Sequence, residues 1–409
     1  GVLRGVNTIL GWRTTNSDLI TLLDRVFAEK GIHLADDITS TAEFTAVLNE
    51  ILYATNPVTG RPWYFDGNEA NPSFNLDRLA GVLRGVNTIL GWRTTNSDRI
   101  AILDKVFASK NIKFADDITS PAEFTAVINN ILFAGEFDSS GNAIDVNKNG
   151  ISGEFWYFKD GTFNLAPLGS ILDAVIFLQS MTPEQKDLFN NIFDLKLDSL
   201  DLAGFQTIID KILYAKDEKL ASGRPYWYFN NDFANPKFEH LNVFQEVLRG
   251  ILALKLFPDP AKQIIKEVYG IDLNQKITPE ILKNIADNIL FQKDNSNKVI
   301  SGRLFWYFNG NFDTNPKFDR LKLLQVVLEA VSALKQFSEP AKQIIKEVYQ
   351  IDLNQKLTDK ILQKIADDIL FQSSLVFKPG TQVIIGITYW FFNAKFDDDP
   401  RLEVKALEN

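Results

Sequence analysis

Between residues 241 and 290 the apolar positions fall into three successive helical rhythms. Leu241, Phe244, Val247, Leu248, Ile251 and Leu252 recur at the spacing of one helix face and predict a first amphipathic helix. Asp259 ahead of Pro260 predicts an N-cap with proline in the first turn of a second helix. Ile264, Ile265 and Val268 mark the buried side of that helix. After a short extended link, Ile271-Asp272-Leu273, the run Thr278-Pro279-Glu280 predicts a third start, and Ile281, Ile285, Ile289 and Leu290 continue it. At the equivalent start further upstream, Ser120-Pro121-Ala122-Glu123 has the spacing of a capping box.

Beyond the third helix the period changes. Phe305-Trp306-Tyr307-Phe308 lies between Ser301-Gly302-Arg303 and Asn309-Gly310-Asn311, which reads as a short aromatic strand bounded by turns. The hairpin is expected to close at Asn315-Pro316-Lys317-Phe318, since Asn-Pro favours a turn. The same closing run stands at Asn71-Pro72-Ser73-Phe74 and Asn235-Pro236-Lys237-Phe238.

These elements repeat along the chain. Residues 1–18 recur unchanged at 81–98, and residues 260–276 recur at 340–356 with one difference, Gly270 against Gln350. Both matches have an offset of 80 residues. An aromatic marker follows the same beat, with tryptophans at Trp63, Trp156, Trp227, Trp306 and Trp390. The expected fold is mainly α, a tandem array of about five units of ~80 residues, each three helices plus a short aromatic β-hairpin. The units run over 1–75, 76–165, 166–240, 241–320 and 321–409. Gly1 matches Gly81, which lies inside a first helix, so the first unit reads as truncated and the chain as a piece of a longer array. The last unit differs in its hydrophobic run, Val383 to Thr388, and in its acidic tail, Asp397-Asp398-Asp399.

Composition narrows the function classes. The 409 residues are 45% apolar, too high for a disordered chain, and no apolar stretch is long enough for a membrane helix. No cysteine is present, which removes disulfides, thiolate metal sites and thiol nucleophiles together. The net charge of −9, with lysines and arginines mixed among acids as at Lys262, Lys266 and Glu267, argues against a nucleic-acid partner. Only His33 and His240 are available as imidazole bases, and they occupy non-equivalent positions of the repeat. A histidine-based hydrolase is therefore not expected.

Three further groups hold candidate chemistry. Asp36-Asp37 and Asp116-Asp117 supply paired carboxylates, but a glycosidase uses one pair across one cleft, whereas these recur with the repeat and read as turn chemistry. Asp145, Asn147 and Asn149, with Gly150, match the first half of a calcium loop, and Glu154 is the nearest later acid. Position 12 of that loop is Trp156, so the match is partial, and calcium is the one cofactor the sequence suggests. Trp63, Trp156, Trp227, Trp306 and Trp390 are candidate contact residues alongside Tyr64, Tyr157, Tyr228 and Tyr307. Consecutive strand residues face opposite ways, so one set plugs the junctions between units and the other projects outward as a periodic row.

Near-identical repeats place the same surface at regular intervals. The leading expectation is a non-enzymatic structural or adhesive protein of the cell exterior that self-assembles through repeat and end contacts. Its partner is a second copy of itself, and Val383, Ile384, Ile385 and Ile387 are expected to add to a neighbour's sheet edge. The alternative is a carbohydrate-binding array that stacks its aromatics on a cell-surface glycan. A third reading is an α-helical-toroid glycosidase.

Overall fold

The computed structural model describes residues 1–55, 64, 73–132, 136–137, 143–144, 158–159, 162–163, 165–213, 241–290, 309–311, 315–318, 321–371, 373–377, 384–389, 401–402 and 404. These form a mainly helical molecule with fifteen α-helices and four two-stranded antiparallel pairs. No helix among them is long and apolar enough to cross a membrane.

The helices come in threes. The first of each set is α1 (Val2–Thr15), α4 (Leu76–Thr95), α7 (Ala166–Gln179), α10 (Leu241–Lys255) or α13 (Leu321–Lys335). The second is α2 (Ser17–Phe27), α5 (Ser97–Val106), α8 (Pro183–Phe193), α11 (Asp259–Tyr269) or α14 (Glu339–Tyr349). The third is α3 (Thr41–Ala46), α6 (Pro121–Val127), α9 (Leu202–Ile208), α12 (Pro279–Ile285) or α15 (Asp359–Ile365).

Local chemistry explains the ends of these elements. All five third helices begin on a capping side chain: Ser40, Ser120, Asp201, Thr278 and Thr358 each accept a hydrogen bond from the backbone N–H three residues on. The expected box at Ser120 is half formed. Its hydroxyl takes the Glu123 N–H, while the Glu123 carboxylate reaches one residue further back, to the Thr119 N–H at 3.3 Å. A complete box stands at Thr182 and Gln185 instead. Asp259 is the first residue of α11 rather than its cap, because Pro258 already holds the extended backbone of that position.

All five third helices also end in a wider π-helical turn, at Val47–Leu52, Ile128–Leu132, Ile209–Leu213, Ala286–Leu290 and Ala366–Leu370. Each turn finishes on a buried Ile-Leu pair, from Ile51-Leu52 to Ile369-Leu370. The leucine packs on the first helix of its set where that helix is narrow. A Cβ built at Gly85 would stand 3.2 Å from Leu132, and one at Gly250 would stand 3.0 Å from Leu290. Each second helix leaves through a left-handed residue: Gly31, Asn111, Asp194, Gly270 or Gln350, with φ of 68°, 56°, 55°, 71° and 55°.

The strand pairs are small. Glu136–Phe137 (β1) pairs with Ala143–Ile144 (β2), and Phe158–Lys159 (β3) with Thr162–Phe163 (β4). Asn309–Asn311 (β5) pairs with Asn315–Lys317 (β6), so Asn309-Gly310-Asn311, expected as a turn, is itself a strand with Gly310 opposite Pro316. The longest ladder joins Ser373–Phe377 (β7) to Ile384–Tyr389 (β8).

The described residues fall into two compact units, one within Gly1–Ser180 and Lys196–Glu218, the other within Met181–Leu195 and Glu239–Asn409. The second helix of the third set, α8, belongs to the second unit, whereas α7 and α9 belong to the first.

Candidate assembly interface

Within each unit the same arrangement recurs where one helical set meets the next. The second helix of a set packs on the first helix of the set that follows and, in three of four cases, on its third helix too. In the first unit α2 packs against α4 and α6, and α5 packs against α7. In the second, α8 packs against α10 and α12, and α11 against α13 and α15.

The apolar contacts are aromatic on one side of the chain and aliphatic on the other. Phe27, at the end of α2, meets Phe124 of α6 edge-on, with ring centroids 6.0 Å apart and planes at 73°. Phe107 and Phe205 repeat this at 6.4 Å, and Phe189 of α8 meets Phe244 of α10 at 5.9 Å. In the last contact of the series, Ala261, Ile264 and Ile265 of α11 are buried, and so are Leu323, Leu324, Val327 and Leu362 of the following set.

Polar groups fix the register of each contact. Arg25 of α2 reaches Asp117 in the following set at 2.9 Å. The Asn87 amide lies 3.3 Å from the Asp18 carboxylate. Arg99 of α5 makes a two-pronged pair with Asp173 of α7 at 2.8 and 2.6 Å, and its guanidinium also lies 5.0 Å over the Trp92 ring. Lys105 donates to the Asp198 carbonyl at 2.8 Å. Gln185 and Gln245 exchange hydrogen bonds at 3.3 Å. Glu267 of α11 accepts from Lys335 at 2.7 Å and from the Leu357 N–H at 2.8 Å. Burial pushes the Glu267 carboxyl up, but the Leu357 N–H and the Lys335 ammonium outweigh it and hold its pKa below the ordinary value.

The paired carboxylates are explained by these local structures. Arg13 binds the Leu34 and Asp36 carbonyls and the Asp37 carboxylate, and Arg93 repeats this on Phe114, Asp116 and Asp117. The Arg93 hydrogen bond, reinforced by Arg25, holds Asp117 below the ordinary carboxylate range. Asp24 and Asp104 close the same links by accepting from successive backbone N–H groups. His33 is exposed on the first of these links.

Tyr64 does not belong to an outward row. It is buried, because its ring completes the wall of a cavity of about 250 Å³ in the first unit. Leu23, Phe27, Ile51 and Phe124 line the apolar part of that cavity, and Asn49, Glu50 and Thr125 line a polar part. The Tyr64 hydroxyl has no hydrogen-bond partner there, and burial raises its pKa above the ordinary phenol value. The other aromatic candidates, Trp63, Trp156, Trp227, Trp306, Trp390, Tyr157, Tyr228 and Tyr307, lie outside the described residues. So do His240, Val383 and the proposed calcium ligands Asp145, Asn147, Asn149 and Glu154. Among the described residues no cluster of three or more His, Asp or Glu is arranged to hold a metal. Ile384, Ile385 and Ile387 stand in β8, whose pairing with β7 occupies one of its two edges.

Sequence reasoning missed the residues that organise the contacts. Glu267, which the sequence shows only as one acid among mixed charges, is the acceptor at the centre of one of them. A signal for Arg99 was available: the identity of residues 1–18 with 81–98 ends at Leu19 against Arg99, where α5 meets Asp173 instead of a second copy of α4. Comparison with protein-family models, curated proteins and solved structures finds no match to this chain.

Proposed function

We propose that this chain is a non-enzymatic structural or adhesive repeat protein of the cell exterior that assembles with copies of itself. The reading takes the chain as five tandem copies of one unit, three helices and a short aromatic hairpin, over the ranges given above. One observation carries it: at four successive places a second helix takes the first helix of the next set, and at three of them its third helix as well. A surface that binds its own neighbour four times over is suited to extension rather than to a single reaction. The twin carboxylate pairs support the same view, since Arg13 and Arg93 engage them as parts of the links.

Light scattering after size exclusion, in chelator and then in millimolar calcium, tests this, with electron micrographs of each peak. Ordered filaments or sheets are the expected result. A calcium requirement would assign the ion to Asp145, Asn147, Asn149 and Glu154. A strict monomer of 46.3 kDa in both conditions would overturn the assembly reading.

The second reading, carbohydrate binding, draws on the cavity beside Tyr64. An unpartnered buried hydroxyl next to polar side chains suits a small hydroxylated ligand, and about 250 Å³ is below the roughly 300–1,000 Å³ of larger ligand sites. A Tyr64→Phe variant should lose binding in a screen of mono- and disaccharides. Equal binding by the variant and the parent would remove this reading.

A further inference from the structure

The cavity beside Tyr64 gathers polar groups that nothing else in the described fold uses. Its walls come from α2, α4, α6 and the π-helical turn at Val47–Leu52, all within the first unit. It lies between the first and second helical sets, and neither end of the sequence lines it.

Comparison of positions 80 residues apart shows which groups stand open. Thr45 donates to the Thr41 carbonyl of its own helix at 2.8 Å. Its twin Thr125 lines the cavity and makes no hydrogen bond among the described residues. Asn130 donates to the Ala126 carbonyl of its own helix at 2.8 Å. The twin of Asn130 is Glu50, an acid on the cavity wall whose carboxylate accepts no hydrogen bond among the described residues. Its nearest cation there is Lys30 at 3.7 Å, beyond hydrogen-bond reach, with side chains 41% and 36% exposed. The Asn49 amide beside it is likewise uncommitted.

Tyr64 completes the set from the buried side. It is 2% exposed, Asn75 donates to its carbonyl at 2.7 Å, and its hydroxyl has no partner. A buried hydroxyl left in this state costs stability that a bound partner restores. A cavity of about 150 Å³ accepts one benzene ring, so about 250 Å³ admits one substituted six-membered ring. Asn49, Thr125 and Tyr64 can each donate and accept, as ring hydroxyls can. Glu50 can only accept, and it favours a charged donor above a neutral one.

From this set we infer that the cavity binds a monosaccharide carrying a free ammonium group, with the ammonium on Glu50 and ring hydroxyls on Asn49, Thr125 and Tyr64. The inference deepens the carbohydrate reading above and rests on it. The apolar face of such a ring matches the walls formed by Phe27 and Phe124. Lys30 does not stand in the way, because a loose, part-exposed pair of this kind is weak and the ligand's ammonium replaces it at closer range.

The test titrates glucosamine and glucose into the full-length parent, Glu50→Gln and Tyr64→Phe by calorimetry, at about pH 6, where the sugar amine is protonated. The parent should bind glucosamine about tenfold more tightly than glucose, the size of one charge-assisted hydrogen bond. Glu50→Gln should lose that preference while keeping its affinity for glucose, and Tyr64→Phe should weaken both sugars alike. Each variant is close in shape to the parent, and far-ultraviolet circular dichroism checks that it folds. Equal affinity of the parent for the two sugars would overturn the ammonium assignment and leave the carbohydrate reading standing. A preference that survives Glu50→Gln would overturn it as well, since the charge would then be read by another group. A parent that binds neither sugar would remove the carbohydrate reading and this inference with it, and leave the cavity to water.

Discussion

The contact between the first and second helical sets and that between the fourth and fifth use one geometry with different chemistry. In the former, Phe27 and Phe124 meet edge-on and Arg25 reaches Asp117 across the boundary. In the latter, isoleucines of α11 bury against leucines and valines of α13, and the charges are reversed: an acid on the second helix, Glu267, meets a lysine on the following first helix. The backbone placement persists while the side chains exchange roles. Position in the set, more than residue identity, decides what is buried.

The aromatic side offers the largest way to break the comparison. Phe124→Ala should cost about 3–5 kcal/mol, because it removes a buried ring and its edge-on contact with Phe27 in one change. Phe44→Ala, at the half-buried twin, should cost clearly less, and urea unfolding of both variants checks the difference. Equal losses would show that the stacking on Phe27 contributes nothing.

The charged groups come next. Glu267→Gln should cost about 1–2 kcal/mol, since the carboxylate serves both an ammonium and a backbone N–H in a partly buried place. Asp117→Asn should cost less than about 1 kcal/mol, because that carboxylate is half exposed and screened by water. Added salt should narrow the gap between Asp117→Asn and the parent more than that for Glu267→Gln.

Acid should sharpen the same contrast. The folded pKa of Glu267 lies below its ordinary value of 4.5, so its contribution is present above that pH and is lost as pH falls through the depressed value. Unfolding midpoints measured from pH 6 downward should therefore converge for the parent and Glu267→Gln in acid. A constant difference across that range would show that the carboxylate charge is not what stabilises the contact.

The smallest effect is also the most local. Gly270 and Gln350 are the one difference between the two 17-residue copies, and both adopt left-handed backbone, with φ of 71° and 55°. Gln350→Gly should gain up to about 1 kcal/mol by relieving the side-chain clash of that conformation. Gly270→Gln should lose a similar amount, and amide exchange at the ends of α11 and α14 reports both.

Much of the helical framework was legible because it rests on local signals. Thr278-Pro279-Glu280 starts α12 as its spacing predicts, and the apolar rhythm from Leu241 marks α10. The π-helical ends were not legible, since ADNIL and ADDIL carry no signal that separates a wide turn from an ordinary one. Leu282 was passed over for Ile281, although Leu282 is the buried one, because the third helix is short and its face is set by α8 of the preceding set. Turn chemistry misled at Asn309-Gly310-Asn311, where pairing with Asn315–Lys317 overrides the local preference of Asn-Gly. Tyr64 escaped for a related reason: alternation along a strand assigns opposite faces but not which face meets a wall.

The placement of α8 with the following helices, apart from α7 and α9, has a practical consequence for dissecting the chain. Of the third set, one helix falls in the second unit and two in the first. A fragment trimmed at a repeat border, such as 240/241, would strand Phe189 without Phe244 and expose the aromatic face of α8. Cutting after Ser180 keeps that pair together but parts Phe205 of α9 from Phe107, so neither cut leaves both units whole.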